Sequence, residues 1–362
     1  MADQENPVRL TRAAKRRAAA MADEQPAPKK RVVLGELPNV SNVDSQTNRD
    51  SGIVEKKERR GINAKAKKAL PMTDESPEKK AESDDPQMCG SYVSDVYEYL
   101  HELEMDPRRR PLPDYIEKVQ TDVTPNMRGI LVDWLVEVAE EYKLLPDTLF
   151  LSIYYIDSFL SKRALNRQKL QLLGVSSMLI ASKYEEITPP HVEDFCYITD
   201  NTYTKEEVVN MEAAILKSLS FELGSPTTKT FLRKFTRVAQ ESDQNPHLKL
   251  EFLVYYLAEL SLLDYNCVGF LPSLVAGSVI FLARFITQPK KHPWTLSLQT
   301  YSRYTPSKLK SCVLIIHDLY LRRRAGSLQA LRQKYKQHKF KFVANLPSPP
   351  EIPAHYFENL GE

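Results

Sequence analysis

The stretch MRGILVDWLVEVAEEYKL, residues 127–144, decides the fold class, because its apolar residues recur at helical spacing. Thr124 and Pro125 stand just before it, and this pair predicts where the helix begins. A threonine hydroxyl can accept a hydrogen bond from a free N–H group of the first turn, where proline has no N–H group to satisfy. Arg128, Asp133 and Glu137 interrupt the apolar pattern, so the helix also carries three charges that need an explanation.

Two neighbouring apolar stripes run along this helix, although the core of a helix bundle needs only one. On a 3.6-residue wheel the first stripe contains Met127, Ile130, Trp134 and Glu137, and the second contains Leu131, Leu135, Val138 and Tyr142. One interpretation is a central helix that neighbours bury on all sides. The other is that one stripe stays accessible, ends in a carboxylate and forms an apolar groove for a peptide. Spacing alone leaves both interpretations open.

Helical patterns separated by prolines continue along the chain from Tyr92 onward. Five predicted helices occupy residues 124–219, and the last of them has Thr204 at its expected N-cap. A second set of about five follows the junction FELGSPTTKTFL, residues 221–232, where Ser225 and Pro226 predict the first helix start. The sequence therefore predicts an all-α protein with two helical blocks of similar size.

The first 87 residues lack a sustained apolar period and are rich in charged residues, serine and proline. Such a chain cannot bury enough surface to offset its conformational entropy, so we expect a disordered tail. Residues 1–80 hold 18 Lys and Arg against 12 Asp and Glu, whereas the remaining residues are net acidic. The basic character is therefore confined to the tail.

The sequence contains no signal for a membrane anchor, a disulfide framework or an enzyme. The longest apolar run, LVAGSVIFLA at 274–283, is well short of the roughly 20 residues that cross a bilayer. Four dispersed cysteines without C-x-x-C indicate buried thiols in a reducing compartment. No nucleotide-binding, H-E-x-x-H or G-x-S-x-G motif is present, and Glu185 with Glu186 is better explained as a helix-end pair than as catalytic carboxylates. We expect no catalysis, no cofactor and no metal.

Four segments carry a resemblance to a known family. They are MRGILVDWLVEV (127–138), LNRQKLQLLGVSSMLIASKYEEI (165–187), YITDNTYTKEEVVNMEAAILKSLSFEL (197–223) and YLAELSLLDY (256–265). Together they resemble the cyclin box of A-type cyclins, most closely the third subgroup of plant A-type cyclins, over residues 88–355. The resemblance implies a non-catalytic regulatory subunit that binds and activates a cyclin-dependent kinase, docks its substrates and controls cell-cycle progression.

The resemblance also implies two five-helix cyclin folds in tandem, preceded by an extra N-terminal helix within YVSDVYEYLHELEMD (92–106). It divides the chain into a disordered regulatory tail (1–87), an N-terminal helix and lead-in (88–121), the N-terminal cyclin box (122–222), the C-terminal cyclin fold (223–340) and a C-terminal extension (341–362).

Five residues match the kinase-binding positions of the family. Lys183 and Glu212 correspond to the charged pair presented to the kinase, and a surface ion pair is the simpler alternative. Tyr184, Leu216 and Leu223 correspond to the apolar residues around that pair, with core packing as the alternative.

A second set matches the groove that docks substrates and inhibitors with a short basic-leucine motif. Its members are Met127, Ile130, Leu131, Trp134, Glu137, Leu170 and Gln171. Gly129 departs from the alanine often found there in animal relatives, which costs about 1 kcal/mol in helix propensity. We expect docking to tolerate this change because the groove residues themselves are unaltered.

The tail has short motifs of its own. RVVLGELPN, residues 31–39, fits the destruction-box pattern R-x-x-L-x-x-x-x-N through Arg31, Leu34 and Asn39, which implies turnover by ubiquitin ligase machinery. Ser76 precedes Pro77 in a proline-directed pattern and is a candidate phosphorylation site. Basic clusters at 15–17, 29–31 and 56–60 are either nuclear import signals or solvated charge. The resemblance favours a nuclear location, with a cytoplasmic pool as well.

Two other functional classes make predictions that the sequence does not meet. A helical-repeat scaffold would need further copies of one short unit, and only two blocks are visible. A DNA-binding cyclin fold would need a basic folded part and a zinc ribbon, whereas this folded part is net acidic and lacks C-x-x-C. We therefore expect neither nucleic acid nor membrane as a direct partner.

Overall fold

The computed structural model describes residues 92–240, 248–323 and 328–358, and all regular elements in these ranges are helices. The first set comprises α1 (Val93–Met105), α2 (Tyr115–Lys118), α3 (Pro125–Glu141), α4 (Pro146–Leu160), α5 (Leu170–Glu185), α6 (Val192–Ile198) and α7 (Lys205–Ser218). The second comprises α8 (Thr228–Gln240), α9 (Leu248–Leu263), α10 (Pro272–Thr287), α11 (Leu296–Ser302), α12 (Pro306–Tyr320) and α13 (Ala330–Tyr335). The predicted all-α class with tandem helical sets is confirmed. The tail 1–87, with Arg31, Leu34, Asn39 and Ser76, lies outside the described residues.

Threonine side chains cap the N-termini of two helices of the first set, at the positions that the sequence predicts. Thr124 Oγ1 accepts a hydrogen bond from the N–H group of Met127 at 3.3 Å, and Pro125 opens α3. Thr204 and Glu207 each accept a hydrogen bond from the other's N–H group and so form a capping box at the start of α7. Local sequence therefore determines these helix starts.

The predicted helix start at Ser225 and Pro226 is wrong, because α8 begins at Thr228. Ser225 is buried, and its hydroxyl donates to the hydroxyl oxygen of Tyr154 on α4 at 2.6 Å. The junction is thus an irregular segment packed on α4, and the serine is used for a contact between elements instead of a cap.

One long helix lies at the centre of each set. α5 packs against α3, α4, α6 and α7, while α10 packs against α8, α9 and α12. Every residue at 172–182 of α5 and at 275–283 of α10 is buried. Helices buried on all sides cannot shift without opening cavities, so both sets have rigid centres.

A buried ion pair within the first set explains the first charge on α3, and a hydrogen bond from the same arginine reaches the second set. Arg128 is 2% exposed, and its Nε and Nη2 donate to the two carboxylate oxygens of Asp157 on α4 at 2.7 Å each. Its Nη1 donates to the carbonyl oxygen of Leu262 near the end of α9, also at 2.7 Å. Burial alone would lower the pKa of Arg128, but the Asp157 carboxylate raises it, so the guanidinium stays charged.

The second charge on α3, Asp133, fastens the C-terminal part of the chain to the first set. Its carboxylate accepts hydrogen bonds from the N–H groups of Gln329, Ala330 and Leu331 at 3.0, 3.1 and 3.2 Å. It therefore satisfies the free N–H groups at the start of α13. Burial raises the pKa of Asp133, and the three N–H groups counteract that rise.

Candidate functional site

The predicted charged pair forms at the C-terminal end of α5. Lys183 lies in the last turn of α5 and Glu212 lies in α7, with 2.6 Å between Lys183 Nζ and Glu212 Oε1. The lysine side chain is 51% exposed and the glutamate side chain 14%. Because the lysine end of the pair is half-exposed, the pair contributes only about 0–1 kcal/mol to folding. The pair is therefore accessible to a partner and of little importance for stability.

The apolar residues predicted around this pair differ in burial. Tyr184 is 52% exposed, whereas Leu216 and Leu223 are half-buried and pack on the core. A methyl carbon added at Gly224 would lie 2.7 Å from the Tyr184 hydroxyl oxygen, so the tyrosine rests directly on the glycine. We use the name pair face for the surface formed by Lys183, Tyr184, Glu212, Leu216 and Leu223.

Two exposed apolar residues next to the pair face were missed by the sequence reasoning. Ile187 follows α5 and is fully exposed, and Phe221 follows α7 and is 66% exposed. Ser220 and Phe221 both have a positive φ, at 53° and 61°, and the Phe221 N–H group donates to the Leu216 carbonyl oxygen at 3.0 Å. Positive φ is costly for a bulky residue and is concentrated at functional sites. Apolar residues placed directly after helix ends were the available sequence signal.

Carboxylates border the pair face on the side of α4. Burial, together with the nearby Asp147 carboxylate, raises the pKa of Glu185. Glu186 accepts hydrogen bonds from the Leu145 N–H group at 2.7 Å and the Thr148 hydroxyl at 2.6 Å. Glu186 therefore holds the start of α4 against the end of α5, consistent with a helix-end pair.

The predicted groove is centred on α3, where apolar side chains are partly open to solvent. Ile130 is 50% exposed, and Met127, Trp134, Glu137 and Gln171 are half-buried. Gln171 comes from the first turn of α5, which packs against α3. These five residues form a partly apolar surface with polar groups at its edge, which we call the α3 strip.

The other two predicted groove residues lie beneath the α3 strip. Leu131 is 6% exposed and Leu170 is 7% exposed. A methyl carbon added at Gly174 of α5 would lie 2.8 Å from Leu131 Cδ1, so the two helices approach closely there. Gly129 has a similar role against α9, because an added methyl carbon would lie 3.3 Å from the Leu263 carbonyl oxygen. The buried leucines support the strip instead of presenting a surface.

Other chemistry has little support within the part of the chain that the structure describes. In residues 92–240, 248–323 and 328–358 no group of three or more His, Cys, Asp or Glu side chains could hold a metal ion. No helix in these ranges is both long and apolar enough to span a bilayer. Cys196, Cys267 and Cys312 are free and buried. His317 Nε2 lies 3.0 Å from Ser348 Oγ, and burial lowers its pKa.

Comparison with known proteins assigns the family. The model of the cyclin N-terminal domain matches residues 95–224, and that of the cyclin C-terminal domain matches residues 226–349. Cyclin-A3-4 of Arabidopsis thaliana is 59% identical over 99% of this chain and 98% of its own length. The G2/mitotic-specific cyclin C13-1 of Daucus carota is 57% identical over 95% of this chain and 100% of its own length.

A solved structure supports the fold independently. The viral cyclin from herpesvirus saimiri superposes with a TM-score of 0.54 at 21% identity, over 63% of this chain and 96% of the viral chain. At that identity the likeness concerns the fold alone. The two family matches and the near full-length similarity to plant A-type cyclins of the third subgroup show that this chain belongs to the cyclin family.

Proposed function

We propose that this chain is a regulatory subunit that binds and activates a cyclin-dependent kinase during cell division. The observation that carries the proposal is the pair face, where a solvent-exposed ion pair lies beside the exposed Tyr184, Ile187 and Phe221. Exposed aromatic residues around a charged pair are typical of interface centres. The carrot relative is named a G2/mitotic-specific cyclin, which supports a role in the division cycle.

The mechanism requires a rigid surface more than reactive groups. In protein kinases a strand lysine and a glutamate of the regulatory helix must pair before the ATP phosphates are positioned, and that helix can swing away. A subunit that binds only the inward position of the helix stabilises it by its differential affinity. Lys183 and Tyr184 directly follow the fully buried residues 172–182 of α5, so the pair face is fixed to the centre of the first helical set.

A comparison of two phenylalanines tests this function. Phe221 and Phe342 both have positive φ, at 61° and 54°, and are 66% and 48% exposed, but only Phe221 borders the pair face. We expect Phe221→Ala to weaken binding to a purified cyclin-dependent kinase about tenfold or more, as for an interface hot spot, and Phe342→Ala to have no effect. The chain alone should transfer no phosphate, and the complex should phosphorylate proline-directed peptides. Equal kinase affinity of the two variants and the wild type would contradict the proposal.

We further propose that the α3 strip docks substrates and inhibitors with a basic-leucine motif. Its half-exposed Ile130, Met127 and Trp134 could receive a leucine side chain, because apolar groups with partial exposure gain burial when a peptide covers them. Docking at this second surface would raise the effective concentration of a substrate near the kinase. The polar edge formed by Glu137 favours a basic residue in the ligand.

The proposed regulation lies in the tail, outside the described residues. Arg31, Leu34 and Asn39 would serve as a destruction box for ubiquitin ligase machinery, Ser76 as a phosphorylation site of the bound kinase, and the basic clusters as nuclear import signals. Replacing Arg31 and Leu34 by alanine should lengthen the half-life of the chain in mitotic extract without changing kinase affinity. Unchanged decay would mean that the motif is a chance match.

A further inference from the structure

A cavity lies at the junction of the two helical sets, and its wall contains no residue of the pair face or the α3 strip. Its volume is about 780 Å³ when the open space at its mouth is counted. The apolar part of its wall is formed by Phe150, Ile153, Leu262, Val268, Phe270 and Val275. Small-molecule sites are commonly concave, mostly apolar and placed between domains. The cavity meets each of these conditions.

The two carboxylates in the cavity wall are already engaged by protein groups. Asp157 accepts hydrogen bonds from Arg128 at 2.7 Å and from the Tyr115 hydroxyl at 2.9 Å. Glu104 is 2% exposed and accepts from both the N–H group and the hydroxyl of Ser273. These acids have little capacity left to attract a cationic ligand.

The wall of the cavity, in contrast, also includes cationic groups with unused donors. Arg109 and Arg110 lie in the segment that follows α1, and the Tyr154 hydroxyl holds this segment by donating to the Arg109 carbonyl oxygen at 2.8 Å. Arg110 Nη2 donates to the Gly269 carbonyl oxygen at 3.3 Å, and Arg109 Nη2 lies 3.7 Å from Glu222 Oε2. Because each guanidinium has five N–H donors, most of them remain available to an anion.

We propose that this cavity is a binding site for a flat, mostly apolar small molecule with one carboxylate or sulfonate group. The apolar body lies between α4 and α10, and the acid group binds the guanidinium groups of Arg109 and Arg110. Such a ligand touches α1, other elements of the first helical set and the second set together. The site is independent of the kinase-binding role, so failure of one proposal leaves the other standing.

Calorimetric titration of the full chain tests the chemical class of the ligand. The probes are naphthalene-2-sulfonate and its neutral counterpart naphthalene-2-methanol. We expect saturable binding at one site, with the sulfonate bound about tenfold more tightly, and Arg110→Gln should remove that difference whereas Arg237→Gln on α8 should not. Val268→Phe narrows the cavity and should weaken both probes, while Val238→Phe, which does not line it, should leave both unchanged. Thermal unfolding of each variant checks that it is folded.

Chemical protection tests the location. Cys267 lines the cavity and Cys196 does not, although each is 8% exposed. Naphthalene-2-sulfonate should slow alkylation of Cys267 by iodoacetamide and leave Cys196 unaffected, as measured by peptide mass spectrometry. No saturable binding, or equal protection of both cysteines, would overturn the site. Equal affinity for the sulfonate and the alcohol would overturn the proposed acid group.

Discussion

Two adjacent residues of α3 allow docking to be separated from stability. Ile130 and Leu131 have side chains of equal size, but Ile130 is 50% exposed whereas Leu131 is 6% exposed. We expect Ile130→Ala to impair docking of proteins with a basic-leucine motif while the fold stays intact. We expect Leu131→Ala to destabilise the whole chain, because Leu131 fills the space where α3 crosses Gly174 of α5.

The exposed fractions of the two side chains determine how large the effect of each substitution should be. Truncating a buried leucine to alanine costs about 2–5 kcal/mol, because transfer free energy is lost and a cavity remains. Ile130 loses only half of its surface on folding, so its truncation should cost about 1–2 kcal/mol. Burial of its exposed half by a docked partner is worth about 1–1.5 kcal/mol, so the variant should lose about tenfold in kcat/KM for docking substrates.

The assay compares the two variants in complex with the kinase. The measured quantity is kcat/KM on a full-length protein with a basic-leucine motif, divided by kcat/KM on a short peptide without it. Ile130→Ala should lower this ratio about tenfold with a Tm loss of about 2–8 °C, whereas Leu131→Ala should lower the Tm several degrees further. An unchanged ratio in Ile130→Ala would refute the docking role of the α3 strip. Equal Tm losses would refute the burial difference.

Three further predictions concern charged groups. Lys183→Glu and Glu212→Lys should each weaken kinase binding by about 2–5 kcal/mol, and the double variant should recover part of this loss. Wild-type affinity of both single variants in calorimetry would mean that the pair is an ordinary surface contact. Arg128→Met leaves a buried carboxylate unpaired and should lower the free energy of unfolding by about 3–5 kcal/mol. A Tm unchanged from wild type would contradict this prediction. Burial lowers the pKa of Lys229, whose Nζ lies 3.4 Å from the ring centroid of Tyr255, to about 8. The charged form of Lys229 is thus disfavoured in the folded state, so Lys229→Met should raise the Tm, most of all at pH 7. This gain in Tm should shrink as the pH rises from about 8 to 10. A gain that does not change with pH would contradict the lowered pKa of Lys229.

Much of the helical framework could be predicted because its signals are local. Thr124 and Thr204 cap helices through N–H groups three residues away, and the sequence shows both partners. Ser225 carries the same local signal, yet its hydroxyl bonds to Tyr154, which lies 71 residues earlier. A contact between elements overrode the local preference there, and no local pattern could have shown it.

The residues that belong to the candidate surfaces could be predicted from the sequence, but the exposed fraction of each residue could not. Ile130 and Leu131 belong to the same predicted groove, and only the crossing of α3 over Gly174 decides that one is open and the other buried. Asp133 was visible as a charge in an apolar helix, but the N–H groups that it caps begin 196 residues further along. Phe221 lies within a segment that carries the family resemblance, whereas its exposure depends on the backbone turn after α7.

The hydrogen bond from Arg128 to the Leu262 carbonyl oxygen has a consequence for anyone who divides this chain into halves. A cut in the junction after Leu223 would leave the first half with a charged N–H donor whose acceptor is gone, and the second half with an unpaired carbonyl at the end of α9. In the second half, the N–H groups at the start of α13 would lose the Asp133 carboxylate that accepts their hydrogen bonds. Expressed alone, each half should be poorly soluble, and mixing the two fragments should restore helical content that neither shows by itself. A protease cut in the junction would therefore leave the two fragments held together by noncovalent contacts alone.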